Sequence, residues 1–373
     1  MLSGDINAEV VIIGGGVAGL SLALNLSKSG YEVVLIEQRF CGSGASEKSF
    51  GLASQNFELN LPGVIERFGE EKAKLLWNLT GTATTQFKDN NSDLATETDF
   101  SYEDSVFFAT TPQDQEKVQK IHDARKKFGS ISRLLTSEQC RELVASNKYY
   151  GGVRYPGSSA VNPFRYCRAL LAILQNSGVK IFESTPVVKI ENNSVVTTKG
   201  KVTAKYIVIC ANSFTNDYGI TSEKLSPRVE YLGASRELTE PEIKGIFHSQ
   251  HFNVWDSGAE GTHFRIDKNK RLIVGSKKES LDSYVKEMFP TVTVPLEFLW
   301  SSKHSVSADG LPFAGKMPKT HTYYIAGTFG LIWATALGNY MAEKIHSNRT
   351  DLDDIFSVSR KVSIVKQIKS KFF

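Results

Sequence analysis

Residues 9–37 read EVVIIGGGVAGLSLALNLSKSGYEVVLIE. Residues 9–13 are a short β-branched run, and Gly14, Gly16 and Gly19 set a GxGxxG spacing directly behind it. Residues 17–29 carry apolar side chains at helical spacing, Gly30 falls at a C′ position, and residues 31–36 read as a second buried strand ending on Glu37. Strand, glycine turn, helix, strand and terminal acid make a βαβ unit of the dinucleotide-binding kind. The glycines allow close backbone approach to a pyrophosphate. The helix start, with Val17 and Ala18, offers unpaired N–H groups and a positive dipole end. Glu37, followed by Gln38 and Arg39, can accept ribose hydroxyls.

Working outward, residues 42–46 (GSGAS) form a second Gly/Ser-rich turn, with Gly44, Ala45 and Ser46 at its end. An NAD domain would run straight into further βα units, whereas a flavin needs a second set of backbone donors. The turn therefore favours FAD. Residues 60–150 read as mostly helical and charged, with 114–128 the clearest solvated helix and 136–145 another, and are assigned to a cap inserted after the first unit. A helix opens at Asn162 and Pro163 and stops near Gly178. Strands are predicted over 179–183, 187–191 and 205–211, and antiparallel strands through 226–276. Residues 309–345 give a last strand, glycine turn and helix. The predicted fold is α/β: a Rossmann-type FAD-binding domain from residues 1–86, 151–215 and 303–350, and an antiparallel-sheet substrate or cap domain from 87–150 and 216–302. Residues 351–373 are read as a basic C-terminal tail.

The chain has 373 residues and a net charge of +4, with 41% hydrophobic and 23% charged residues, which is ordinary globular usage. No dense basic block marks a nucleic-acid partner. Cys41, Cys140, Cys167 and Cys210 are far apart, without metal-ligand or disulfide-framework spacing, so no metal is expected and a reducing compartment fits. The apolar stretch 8–26 lacks a basic leader and is broken by glycines, which argues against an anchor. A cytoplasmic location is expected.

The blocks VVIIGGGVAGLSLALNLSKSGYEVVLIE, GSGAS, VNPFRYCRALL, YIVICAN, ADGLPFAG and YYIAGTFGLIWATALGNYMAEKI, in this order and spacing, resemble the D-amino-acid oxidase (DAO) family of FAD-dependent oxidoreductases, which has a glutathione-reductase-like two-domain architecture. The resemblance implies that Val188 meets the adenine through its backbone and that Ala211 and Asn212 line the cofactor. It also implies that Gly327, Phe329, Gly330, Leu331 and Ile332 lie by the flavin's pyrimidine edge. A glycine turn entering a helix there aims N–H groups at the negative charge of a reduced ring.

Departures from the family pattern bear on substrate. The carboxylate-binding Arg of glycine oxidase-like members falls at His304, a second Arg at Gly330, and the Lys of sarcosine oxidase-like members at Ala334. A carboxylate buried without a charged partner is unfavourable by several kcal/mol. Either the substrate lacks an α-carboxylate or its acid is held from another direction. Arg265, in THFRIDKNKRLIVGS, is the alternative donor that the resemblance offers, against a second reading as a surface or interdomain ion pair. His304 either contacts substrate or is a satisfied core histidine. Trp333, then Phe329, wall an amine pocket or belong to the core, and Trp255 and Tyr231 rank below them. The covalent-flavin cysteine of the sarcosine oxidase branch falls near Ser302, so a noncovalent FAD is expected. The oxygen-promoting lysine falls near Ile273, leaving Lys277 as its substitute if oxygen rather than another acceptor takes the electrons.

The expected chemistry is oxidation of a small-molecule amine or amino acid at its C–N bond, with no protein nucleophile needed. The alternatives are an FAD-linked 2-hydroxy-acid dehydrogenase and the flavin subunit of a multi-subunit dehydrogenase or of a tailoring or tRNA-modifying complex. Residues 360–373 mix Lys361, Lys366, Lys369 and Lys371 with apolar residues, a pattern for peripheral membrane contact or protein docking.

Overall fold

The computed structural model describes residues 1–56, 59–92, 94–219, 224–248 and 251–362. Strand β1 (Ile6–Ile13), helix α1 (Val17–Lys28) and strand β2 (Val33–Ile36) form the opening unit. The last four residues of β1 and all of β2 are buried, which accounts for their unbroken apolar sequence. β1 is parallel to β2 on one side and to Lys201–Ile209 on the other. Lys201–Ile209 is in turn parallel to Thr322–Ala326, so the chain's far end closes this sheet. Ile13, Ile36, Ile209 and Ala326 thus all bring their strands out on one edge.

The second sheet runs in the order Leu296–Ser307, Leu225–Glu237, Arg271–Ser276, His263–Ile266, Asn253–Asp256, Ser101–Ala109, Gly151–Ala160 and Leu52–Ala53. It is antiparallel except where Asn253–Asp256 meets Ser101–Ala109. Several sequence expectations are corrected here. Ser101–Ala109 is a central strand inside the stretch expected to be mostly helical; its sequence SYEDSVFFA hides the alternation behind charged residues and a bulge between Glu103 and Ser105. Gly151–Ala160 and Leu52–Ala53, expected in the cofactor domain, pair within the antiparallel sheet, and Leu296–Ser307 runs across the boundary set at 303.

The expected tail is also revised. Leu352, Ile355 and Phe356 are buried in the main core. The Arg360 side chain is also buried: its Nε and Nη2 donate to Asp309 at 2.8 Å each, and its guanidinium lies over Phe313. Lys366, Lys369 and Lys371 lie outside the described residues, as does most of the amphipathic segment. No helix among the described residues is long and apolar enough to cross a membrane. All four cysteines are free and buried.

α1 crosses the closing helix Gly330–Ser347 at Gly338, where a Cβ would stand 2.9 Å from the Ala18 carbonyl oxygen and from the Leu22 nitrogen. Asn25 Nδ2 donates to Asn339 Oδ1 at 2.8 Å beside the crossing. The contact holds the first and last glycine turns on the same edge of the parallel sheet.

Candidate active site

The first half of the site is made of backbone. β1 ends in Gly14, whose φ of +108° and 2.5 Å clearance from the Cys210 carbonyl oxygen to an added Cβ admit only glycine. At Gly19 a Cβ would stand 2.0 Å from the Gly14 oxygen, so the turn and α1 touch backbone to backbone. Gly16 caps α1 without a side-chain bond of its own, and the Val17 N–H instead donates to Ser46 Oγ at 3.1 Å. The second glycine turn is tied to the first by a Gly42 N–H to Gly15 oxygen bond of 2.9 Å. Glu37 accepts from the N–H groups of Gly15 and Arg39 through its two oxygens at 2.8 and 2.9 Å. Gln38, Arg39 and Gly44 are exposed around this edge, with Ala45 and Ser46 half-buried and Ala18 buried.

Ala211 and Asn212 follow the neighbouring strand onto the same edge, and Asn212 Oδ1 accepts from the Ser305 N–H at 3.4 Å. Val188 is 65% exposed on the hairpin Val187–Glu191. The ladder to Ser194–Thr197 skips it, because Val187 pairs with Thr197 and Lys189 with Val196, which is a bulge. The closing turn has positive φ at Gly327 and Gly330, and a Cβ on Gly330 would meet nothing within 4 Å. The donor set fits FAD: two glycine turns, an open helix N-terminus, an acid at the second strand's end and a second helix N-terminus on the same edge.

The second half is a cavity of about 230 Å³ between the antiparallel sheet and the start of the closing helix. Gly330, Leu331, Ile332 and Trp333 form one wall with Phe329, and the antiparallel sheet supplies Arg228, Glu230, His263 and His304 opposite. Trp77 and the cap helix Gln115–Lys127, through Lys117, Ile121 and Arg125, complete it. Trp255, Lys277 and Ser302 also line it. Trp333 is buried and its Nε1–H donates to the Asn56 oxygen at 3.2 Å. Phe329 is 39% exposed, and the His304 ring centroid lies 5.3 Å from its own.

Arg265 does not reach this cavity, and its expected role as carboxylate donor is corrected. Its Nε and Nη2 donate to the Phe50 oxygen at 3.2 and 3.0 Å, and Nη2 also approaches the Val161 oxygen at 3.4 Å. The buried guanidinium staples two backbone segments through Nε and Nη2. Ala334 packs into the core, Ile273 clusters with Phe50, Leu232 and Ala234, and Tyr231 packs at the edge of the second core.

Sequence reading missed Glu230, His263 and Arg125. His263 Nε2 lies 3.1 Å from Glu230 Oε1, with His263 buried and Glu230 half-buried. Burial pushes the Glu230 carboxyl up, but the His263 hydrogen bond and the nearby His263 and His304 charges outweigh it and hold the carboxyl below its usual range. Gly275 makes room for the imidazole, since a Cβ there would stand 2.1 Å from His263 Nε2.

Residues 9–344 match the family model described as FAD dependent oxidoreductase, DAO. The chain belongs to this family. It is an FAD-dependent oxidoreductase. It is 25% identical over 343 residues to a probable oxidoreductase, OrdL, of Haemophilus influenzae, covering 87% of this chain and 79% of that one. It is 22% identical over 348 residues to the gamma-glutamylputrescine oxidoreductase of Escherichia coli, covering 88% and 81%. In fold it matches glycine oxidase from Geobacillus kaustophilus with a TM-score of 0.81 at 19% identity, covering 95% of this chain and 99% of that one.

Proposed function

We propose that this flavoenzyme oxidises the C–N bond of a small amine or amino acid held in the cavity between the antiparallel sheet and the closing helix. Bound FAD would supply the hydride acceptor for the carbon bearing the nitrogen, and the imine so formed would be hydrolysed by water. The observation that carries the reading is the shared wall: residues 329–333 belong both to the closing glycine turn and to the cavity.

Gly14, Gly16 and Gly19 with the N–H groups of Val17 and Ala18 would hold the diphosphate, helped by Gly44, Ala45 and Ser46. Glu37 would hold the ribose beside Gln38 and Arg39. The bulged backbone of Val188 has amide groups outside the ladder that suit an adenine edge. Ala211 and Asn212 would line the cofactor, and the N-terminus formed by Gly327, Phe329, Gly330, Leu331 and Ile332 would draw negative charge toward it. Binding would be noncovalent: Ser302 stands in the cavity wall, and Cys41 is buried among acids that, with burial, push its thiol far up and keep it protonated.

An ordinary amine has a pKa near ~10 and must shed its proton before oxidation. The Glu230 carboxylate lines the cavity, attracts the ammonium and is a group able to accept a proton from it. Relatives named glycine oxidase and gamma-glutamylputrescine oxidoreductase support nitrogen at the reacting carbon. The test is flavin bleaching without oxygen against a panel of amines, amino acids and 2-hydroxy acids, followed by admission of air to see whether oxygen is the acceptor. Bleaching by amines or amino acids is expected; bleaching by hydroxy acids alone would overturn the reading.

A further inference from the structure

We infer that Arg125 is the carboxylate anchor of this cavity, so that the substrate is an amine carrying an acid group that is gripped from the cap. The inference rests on reading the cavity as the substrate site. Arg125 lies in the last turn of the helix Gln115–Lys127 and is only 5% exposed, yet it lines the cavity. Its guanidinium stands 3.5 Å from the Tyr155 ring centroid and 5.1 Å from that of Trp77, so aromatic faces hold the group in place. Nη2 donates to Asn56 Oδ1 at 2.8 Å and to the Gln55 oxygen at 3.2 Å. Nε is buried and has no hydrogen-bond partner, and no carboxylate pairs with the group among the described residues.

A buried cation without a counter-charge is unfavourable by several kcal/mol, and guanidinium does not escape by losing its proton. Burial does lower its proton affinity, as expected for a charge without an acid beside it. A ligand carboxylate reaching the guanidinium from the cavity would supply the missing charge. Lys117, another cation of this wall, is already paired with Asp114 at 2.8 Å. Asn56 sets the position of the anchor: its main-chain oxygen accepts from Trp333 and its side-chain oxygen from Arg125. The anchor is therefore one residue away from the closing helix, within the reach of an amino acid or a short amine with an acid at its far end. This supplies from the cap the group that His304, Gly330 and Ala334 lack.

The test is calorimetric binding of acids that cannot be oxidised, acetate, propionate and butyrate, against the matching amides, on the FAD-loaded protein. Acids are expected to bind roughly ten- to hundredfold more tightly than amides. Arg125→Gln should abolish that preference, and Arg125→Lys, which keeps a donor for Asn56 and should fold, should weaken acids by about tenfold. Equal binding of acids and amides, an unchanged preference in either Arg125 variant, or loss of preference in Arg228→Gln instead would overturn the assignment. Because binding is read without turnover, a protein that grips acids through Arg125 but is bleached by no amine would refute only the reaction proposed above. Amine bleaching with no preference for acids would refute only the anchor.

Discussion

On the edge of the parallel sheet the site consists of main chain, brought to within van der Waals distance by Gly14 and Gly19, whereas across the cavity it consists of side chains from widely separated segments. Arg125 comes from the cap helix, Glu230 and His263 from two strands, and Trp333 from the closing helix. At Gly14 and Gly19 this backbone leaves no room for an added atom. A side-chain site can be altered one group at a time, with its surroundings intact. The difference teaches where change is tolerated: the turn can only be kept or lost, while the cavity can be retuned.

The largest effect should follow from breaking the turn. In Gly19→Ala the new Cβ would stand 2.0 Å from the Gly14 oxygen, a main-chain atom that cannot rotate away. The helix must retreat from the turn, which costs about 3 kcal/mol or more and removes the close approach a diphosphate needs. The variant should purify with less than about a tenth of the wild-type flavin absorbance and a melting temperature lower by several degrees. Retention of full flavin content would mean that the two turns do not act as a backbone clamp.

A smaller and differently shaped effect should separate the two arginines. Arg265→Met leaves the Phe50 oxygen buried without its donor, a loss of about 2–4 kcal/mol in stability. Acid binding by the folded fraction should stay at the wild-type level, since Arg265 itself does not line the cavity, although Phe50, which it holds, does. Denaturant unfolding and calorimetry on the same preparation distinguish the cases. Loss of acid binding without loss of stability would return the anchor to Arg265.

The same contrast explains what the sequence made legible. The opening unit announces itself because every requirement is local: β-branched run, glycines, apolar helix and Glu37 fall within thirty residues. The cavity is non-local. Arg125 sits in a helix rich in charge, and its burial follows only from the stripe Val118, Ile121, Ala124 and Arg125, a helical spacing that could have marked it. The resemblance pointed to the right strand but the wrong position on it. His263 and Arg265 alternate onto the same face, and the cavity ends between them, so the histidine meets Glu230 while the arginine meets the Phe50 oxygen. The docking of Arg360 is hidden in the sequence for a related reason, because a basic composition says nothing of an acid as distant as Asp309.

The smallest effect tests the buried acid beside the cavity wall. Burial pushes the Asp256 carboxyl from 3.8 up to about 6, against hydrogen bonds from Tyr284 Oη and the Gly258 N–H at 3.0 Å each. The folded chain therefore holds this proton more tightly than the unfolded chain does, and unfolding releases it between pH 3.8 and about 6. This group's contribution to stability accordingly falls as pH rises through that window and stays low above it, by up to about 3 kcal/mol. Asp256→Asn removes the ionisation while keeping an acceptor for Tyr284. The variant should melt a few degrees higher than wild type at pH 7–8 and gain nothing at pH 4. A gain that persisted unchanged at pH 4 would trace to packing rather than to charge. A loss at pH 8 would show that the ionised carboxylate is needed, placing Asp256 with the charged groups of the cavity.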